Sequence, residues 1–308
     1  MPLTDGVELP EIASRLTKEV LQANNLQQGV FRGWRYISRS EKTLPEIIDN
    51  AAVALRTVAR APNSPAFLTL STGTTVVLRC ERVHRTILGF LTPRTHDRHA
   101  IAFTGAASLT AAGLPVLAPY ALLSRGGLLS PLESVLVFKR DPSYQPLPEI
   151  VKQFTDTPDI RSRALWKAVG RELGRTHQKQ AILGLNSPCQ IWVKPSADGP
   201  AVLFEVGSAF QVNSVLRYLR EAEDMTGANF IFSPTIAPAD RLRFLRAYEQ
   251  ERPLSDTEEK ETIALVADLT RHKAVRELKI YQSDIPKKTT YLNLIRALDS
   301  RFEQSTNV

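Results

Sequence analysis

The feature that most constrains this chain is a change of hydrophobic period along its length. AFLTLSTGTTVVLRCERV, at 66 to 83, alternates apolar and polar residues around a turn near Gly73, the pattern of a half-buried hairpin. Ile160 to His177 instead sets Leu165, Val169 and Leu173 at helical spacing. A strand-rich first half, a connector around Pro146 and Pro148, and a helix-rich second half predict an α+β chain folded as two lobes with a cleft between them. With 308 residues there is ample length to bury a core.

Further elements follow from local signals. Ile12, Leu16 and Val20 share one helical face over residues 10 to 22, and Thr43 with Glu46 three residues on predicts a capped helix. GVFRGWRYIS, at 29 to 38, reads as a strand or strapped segment, and the second strand of the Gly73 hairpin is expected to end near Arg79. A helix from Asp97 to Ala112 and strands at 114 to 123 and 134 to 140 come next. CQIWV and AVLFEV read as short strands joined by a turn at Asp198 and Gly199. Beyond them the pattern is helical, with a helix from Asp240 to Glu251 and a long one capped by Ser255 and Glu258. His99 to Ser124 carries no formal charge, but Gly113, Pro115 and Pro119 interrupt it, so it reads as a buried helix, a turn and a strand, not a membrane span.

A formal charge of +7 and a pI of about 9.5 favour acidic partners: nucleic acid, a phosphorylated glycolipid or an anionic membrane surface. Arginines are dense in the first half, among them Arg32, Arg35, Arg56, Arg60, Arg79, Arg82, Arg85, Arg94 and Arg98; a solvated surface is the simplest account of most of them. Cys80 and Cys189 have neither metal-ligand nor redox spacing, which fits a reducing compartment. MPLTDGVELPEI has neither the basic nor the apolar region of a signal peptide, so the expected location is the cytoplasm, with the inner-membrane surface as a peripheral site.

Most catalytic chemistries find no footing. His84, His96, His99 and His272 show no zinc-binding spacing, and Ser187 and Ser208 stand in no GxSxG context. Neither cysteine has a neighbouring His and acid, and His177, which closes a helix, is assigned a structural place.

Several strings carry a resemblance: VVLRCERVHRTILGFLTPR at 76 to 94, LTAAGLPVLAPYALLSRGGLL at 109 to 129, LGRTHQ at 173 to 178 and DRLRFLRAY at 240 to 248. The chain resembles the bacterial lipopolysaccharide kinase family, including the branch that phosphorylates the Kdo sugar of the lipid A core. The resemblance implies a protein-kinase-like fold: an extension over 1 to 45, a small β-rich N-lobe over 46 to 138, and a larger, mainly helical C-lobe over 139 to 308. It also implies ATP and magnesium as ligands.

Such a kinase needs a cation on the nucleotide phosphates, a glutamate to orient it, a base for the acceptor hydroxyl and two metal-binding residues. No lysine occurs between Lys42 and Lys139, so the resemblance assigns the cation to Arg79. Ala102 falls where the helix glutamate belongs, and no acid occurs between Asp97 and Glu133. Leu185 falls at the catalytic aspartate, Gln190 at the metal-binding asparagine and Glu205 at the metal aspartate. Phe138 completes the candidate nucleotide contacts. No glycine occurs between Gly33 and Gly73, where a phosphate-covering loop belongs.

No carboxylate lies between Glu172 and Asp198, so shifting the register by several residues still finds no base. Leucine can neither accept a proton nor orient a hydroxyl. Three readings stand. The first is a pseudokinase that regulates, binds or scaffolds, with a protein partner. The second is an active phosphotransferase on a lipopolysaccharide core sugar, using Arg79, Glu205 and Gln190 in a rearranged site. The third is a basic nucleic-acid-binding protein, although no recognition-helix or RNP-type pattern is present. An acid drawn from a distant segment and poised beside Leu185 at the mouth of the interlobe crevice would overturn the first.

Overall fold

The alternating stretches of the first half close into one antiparallel sheet. A computed structural model describes residues 24–58, 66–83, 98–125, 132–153, 160–196, 199–212, 216–229 and 238–280, with single positions at 22 and between 289 and 296. The helix expected over 10 to 22 and the turn residue Asp198 lie outside the described residues. The chain divides into two compact units, Met1–Tyr144 with Leu203–Gln211, and Gln145–Val202 with Val212–Val308.

In the first unit, β1 (Gln27–Phe31), β2 (Trp34–Ser38), β3 (Ala66–Thr69), β4 (Thr75–Val83), β5 (Pro119–Arg125) and β6 (Leu132–Lys139) form a sheet in the order β1-β2-β5-β6-β4-β3. The stretch read as a strand or strapped segment at 29 to 38 is a hairpin. Arg32 (φ 49°) and Gly33 (φ 77°) are both left-handed, the two-residue geometry that matches strand twist, and Phe31 sits opposite Trp34. The signal was weak because an arginine holds one of the two turn positions. The Gly73 turn forms as expected, but β4 runs on to Val83, past Arg79, because β6 offers it a partner along its whole length.

Helix α1 (Leu44–Val58) covers one sheet face. Leu44, Ile47, Ile48, Ala51 and Leu55 pack on Trp34, Tyr36, Leu78, Leu123, Val135 and Val137. The capping box expected at Thr43 is not made. A 3-10 turn over Glu41–Thr43 precedes the helix, so Thr43 is already wound; its hydroxyl meets Ser40 O (3.0 Å) and the Tyr120 hydroxyl (3.1 Å). Glu46 instead accepts from the Ser71 amide at 2.9 Å. Helix α2 (Arg98–Ala111) packs on β5 and β6 through Ala102, Phe103, Ala106 and Ala107.

The second unit is mainly helical: α3 (Leu147–Lys152), α4 (Ile160–Gln178), α5 (Arg217–Asn229), α6 (Pro238–Glu251) and α7 (Asp256–Ile280), with short strands β7 (Gln145–Pro146), β8 (Ala181–Ile182) and β9 (Ile191–Lys194). Strand β10 (Ala201–Phe204) leads the chain back into the first unit, and β11 (Gln211–Val212) leads it out. Leu165, Val169 and Leu173 of α4 are buried, as their spacing predicts. Gly170 and Gly174, one turn apart on α4, meet α6 backbone to backbone. A Cβ on Gly174 would lie 2.6 Å from Tyr248 O, and one on Gly170 would strike Phe244 O. Ser255 and Glu258 form the expected capping box on α7 (2.8 and 3.3 Å). The Ser255 amide, followed by the Tyr218 hydroxyl, holds the Glu258 carboxyl down at about 2.

The α+β class read from the sequence is the class observed. A sheet-bearing first unit with α2 between β4 and β5 is followed by a mainly helical second unit. No helix among the described residues is long and apolar enough to cross a membrane.

Candidate functional site

In the first unit the site is built around Arg79, which lies mid-strand in β4 opposite Leu136. Glu205 reaches it because the end of β10 is pinned to residues 115 to 117: Phe204 N donates to Pro115 O and Leu117 N to Phe204 O, each at 2.8 Å. Arg79 Nε then donates to Glu205 Oε1 at 2.6 Å and Nη2 to Oε2 at 2.7 Å. The side chains are only 13% and 6% exposed. This is the planar two-point pairing that arginine makes and lysine cannot.

The pair changes what each residue can do. Arg79 is not left without an acid, as the missing helix glutamate implied; Glu205 supplies it from another segment. Yet Glu205 is the carboxylate assigned to magnesium, and both of its oxygens face the guanidinium. Holding a metal would require drawing those oxygens away, and holding a phosphate would require drawing away the donors. On α2, Ala102 is buried and offers no charge, while the Phe210 ring lies against the open side of Gly105. Phe138 is wholly buried between Val77 and Pro119 in the sheet.

In the second unit the loop after α4 carries Leu185 and Gln190. An acid drawn from a distant segment does stand beside Leu185: Asp224 of α5. Its role is to hold the main chain. Leu183 N donates to Asp224 Oδ2 at 2.7 Å and Leu185 N to Oδ1 at 2.6 Å, while His177 Nε2 lies 3.1 Å from Oδ2. Both oxygens are thus occupied, and the residue has no solvent exposure. A buried carboxylate saturated by main-chain donors shapes a loop; it is not placed to take a proton from an acceptor hydroxyl.

His177 is buried as well, and its Nδ1 lies 2.9 Å from the Tyr248 hydroxyl of α6. Burial, then the nearby Glu221 charge, push the Tyr248 phenol well above its usual range. The hydroxyl therefore stays protonated and can donate to Nδ1, which leaves Nε2–H for Asp224. This agrees with the structural place assigned to His177.

Gln190 turns its amide oxygen back on its own loop. Oε1 accepts from Asn186 N (2.8 Å) and Ser187 N (3.2 Å), while the Ser187 hydroxyl accepts from Cys189 N (3.2 Å). The oxygen assigned to a metal thus closes a turn. Helix α5 braces the same loop at Gly227, where any Cβ would strike the Leu185 carbonyl. Lys273 of α7 donates to the Asn186 carbonyl. Burial first, then Arg276, lower its amine to about 8.

No group of three metal-ligating side chains occurs among the described residues. Burial pushes the Cys80 thiol up to about 12, so it stays protonated. Of the first-half arginines, Arg32 pairs with Asp49 (3.5 Å) and Arg98 with Glu81 (3.9 Å), while Arg82 and Arg125 share Glu133. Burial alone would raise the Glu133 carboxyl, but hydrogen bonds from Arg125 and Arg82 more than offset it and hold the carboxyl below its usual range. The side chains of Arg56, Arg60, Arg85 and Arg94, like His84 and His96, lie outside the described residues.

Sequence reasoning missed Asp224 and Tyr248 as anchors of the loop. The signal was available only as polar residues on the buried faces of amphipathic helices.

No protein-family profile matches the chain. No curated protein matches it. Among solved structures the chain is similar to WaaP in complex with acyl carrier protein, at 18% identity and a TM-score of 0.48, over 88% of this chain and 99% of that one.

Proposed function

We propose that this chain is a lipopolysaccharide-kinase-like pseudokinase, which acts by binding and not by transferring phosphate. The observation that supports the reading is the two-point pair of Arg79 and Glu205, which commits the phosphate cation and the magnesium carboxylate to each other. Leu185 has no proton-accepting group, and the acid beside it is spent on the main chain. The basic charge of +7 makes a phosphorylated glycolipid, an anionic membrane surface or an acidic protein the partner class, at the cytoplasmic side of the envelope.

The experiment is a magnesium-dependent ATP turnover assay, with and without a Kdo-lipid A acceptor, on the wild type and Glu205→Ala. The expected result is no turnover by either. Turnover by the wild type that disappears in Glu205→Ala would establish the active phosphotransferase in its place.

A further inference from the structure

One arginine of the first unit stands apart from the other arginines described there. Every other arginine side chain described there bonds to a carboxylate or a main-chain carbonyl. Arg35, exposed on β2, bonds to neither among the described residues. Strand register fixes what surrounds it. Val30, Arg35 and Ser124 lie directly opposite one another across β1, β2 and β5, and so do Gln28, Ile37 and Leu122 one step along. Opposed residues, and residues two apart on a strand, share a sheet face. The six side chains therefore make a two-by-three patch on the face opposite α1, whose own side carries Trp34, Tyr36 and Leu123.

Over this patch lies a shallow, solvent-open depression of about 480 Å³. Among the described residues no carboxylate lines it. Val30 is 71% exposed. The depression thus offers one cation, a hydroxyl and an amide beside an apolar floor. We propose that the depression over β1, β2 and the edge of β5, on the sheet face whose β5–β6 part is covered by α2, binds a small amphipathic anion, whose carboxylate or phosphate-monoester head pairs with Arg35 and Ser124 and whose apolar body lies on Val30 and Ile37. The site is separate from Arg79 and Glu205 and does not depend on whether the chain ever holds a nucleotide.

The test is calorimetric titration of the full chain with hexyl phosphate and hexanoate, with inorganic phosphate and hexanol as the head-only and body-only comparators. At least one of the two hexyl anions binds saturably, and the comparators bind at least about tenfold more weakly. Arg35→Gln weakens the anion by about tenfold or more. Val30→Ser weakens it severalfold, and Lys139→Gln, which removes an exposed cation elsewhere on the sheet, leaves it unchanged. Preference for hexyl phosphate identifies a phosphate-monoester head; preference for hexanoate identifies a carboxylate. Arg35 and Val30 are exposed, so unchanged melting temperatures are expected and show that the variants are folded. The proposal is overturned by the absence of saturable binding of either anion, by an affinity that Arg35→Gln does not alter, or by inorganic phosphate or hexanol binding as tightly as the hexyl anions.

Discussion

Asp224 and Leu185 meet through the main chain: the carboxylate of one accepts the amide proton of the other at 2.6 Å, with no solvent exposure at the acid. Leu185, the residue that the sequence resemblance sets at the catalytic aspartate, is therefore held in place by an acid whose oxygens are taken up by main-chain amides and His177.

Replacing that acid tests the assignment. Asp224→Asn keeps one acceptor oxygen but turns an NH2 group toward a buried amide, so about 2 to 4 kcal/mol of stability is expected to be lost. Urea unfolding measures it. A change below about 0.5 kcal/mol would mean that the loop is not hung on Asp224.

The ion pair in the first unit predicts a gain as well as a loss. Glu205→Gln leaves Arg79 buried without its counter-charge and is expected to cost about 3 to 5 kcal/mol. The donors of Arg79 released from the carboxylate then become available to an anion, so pyrophosphate raises the melting temperature of Glu205→Gln without magnesium, while the wild type is unmoved. Arg79→Met combined with Glu205→Gln abolishes the gain and is less destabilised than Glu205→Gln alone. A Glu205→Gln protein that stays folded and ignores pyrophosphate would refute the competition between carboxylate and phosphate.

Gly170→Ala forces a methyl group against the Phe244 carbonyl, a main-chain atom that cannot rotate away. Overpacking of this kind costs about 1 to 3 kcal/mol or more, read as a fall in the denaturant midpoint. Leu173→Ala, on the same helix, also destabilises, but by leaving a cavity; a larger hydrophobe introduced nearby can relieve it but not Gly170→Ala.

Two groups tilt the stability curve the same way, upward with pH, in two separate windows. Lys273 has its folded value at about 8 against 10.5 unfolded, so between these limits the unfolded chain binds more protons and stability rises with pH. The wild type should therefore gain on Lys273→Met across that window. Glu133 is held below its ordinary 4.5, so its contribution is present above that value and is lost as pH falls through the folded value. Carbon-detected titration of Glu133 should show a low midpoint that moves back up in Arg125→Gln.

Helix α4 was legible because a run of more than a dozen residues carries a clear period, and the Gly73 hairpin because its alternation is flanked by a turn glycine. The β1–β2 turn was hidden by an arginine in a left-handed position, and the start of α1 by a 3-10 turn that displaced the cap. At the site, the vacancy at Leu185 could be read by counting acids. The partnership of Arg79 with Glu205 could not, since 126 residues separate them and only the pinning of β10 to residues 115 to 117 brings them together. Asp224 was unreadable for a similar reason: a single acid in a charged helix does not announce which main-chain amides it will meet.

The glycine pair of α4 has a mechanical consequence. Because Gly170 and Gly174 let two backbones touch, sliding α4 by one residue would bring Arg171 and Arg175 to places where only a hydrogen atom fits. The helix behaves as a keyed shaft, with no axial play and a single seated position, and the segment issuing from its end inherits that fixed starting point.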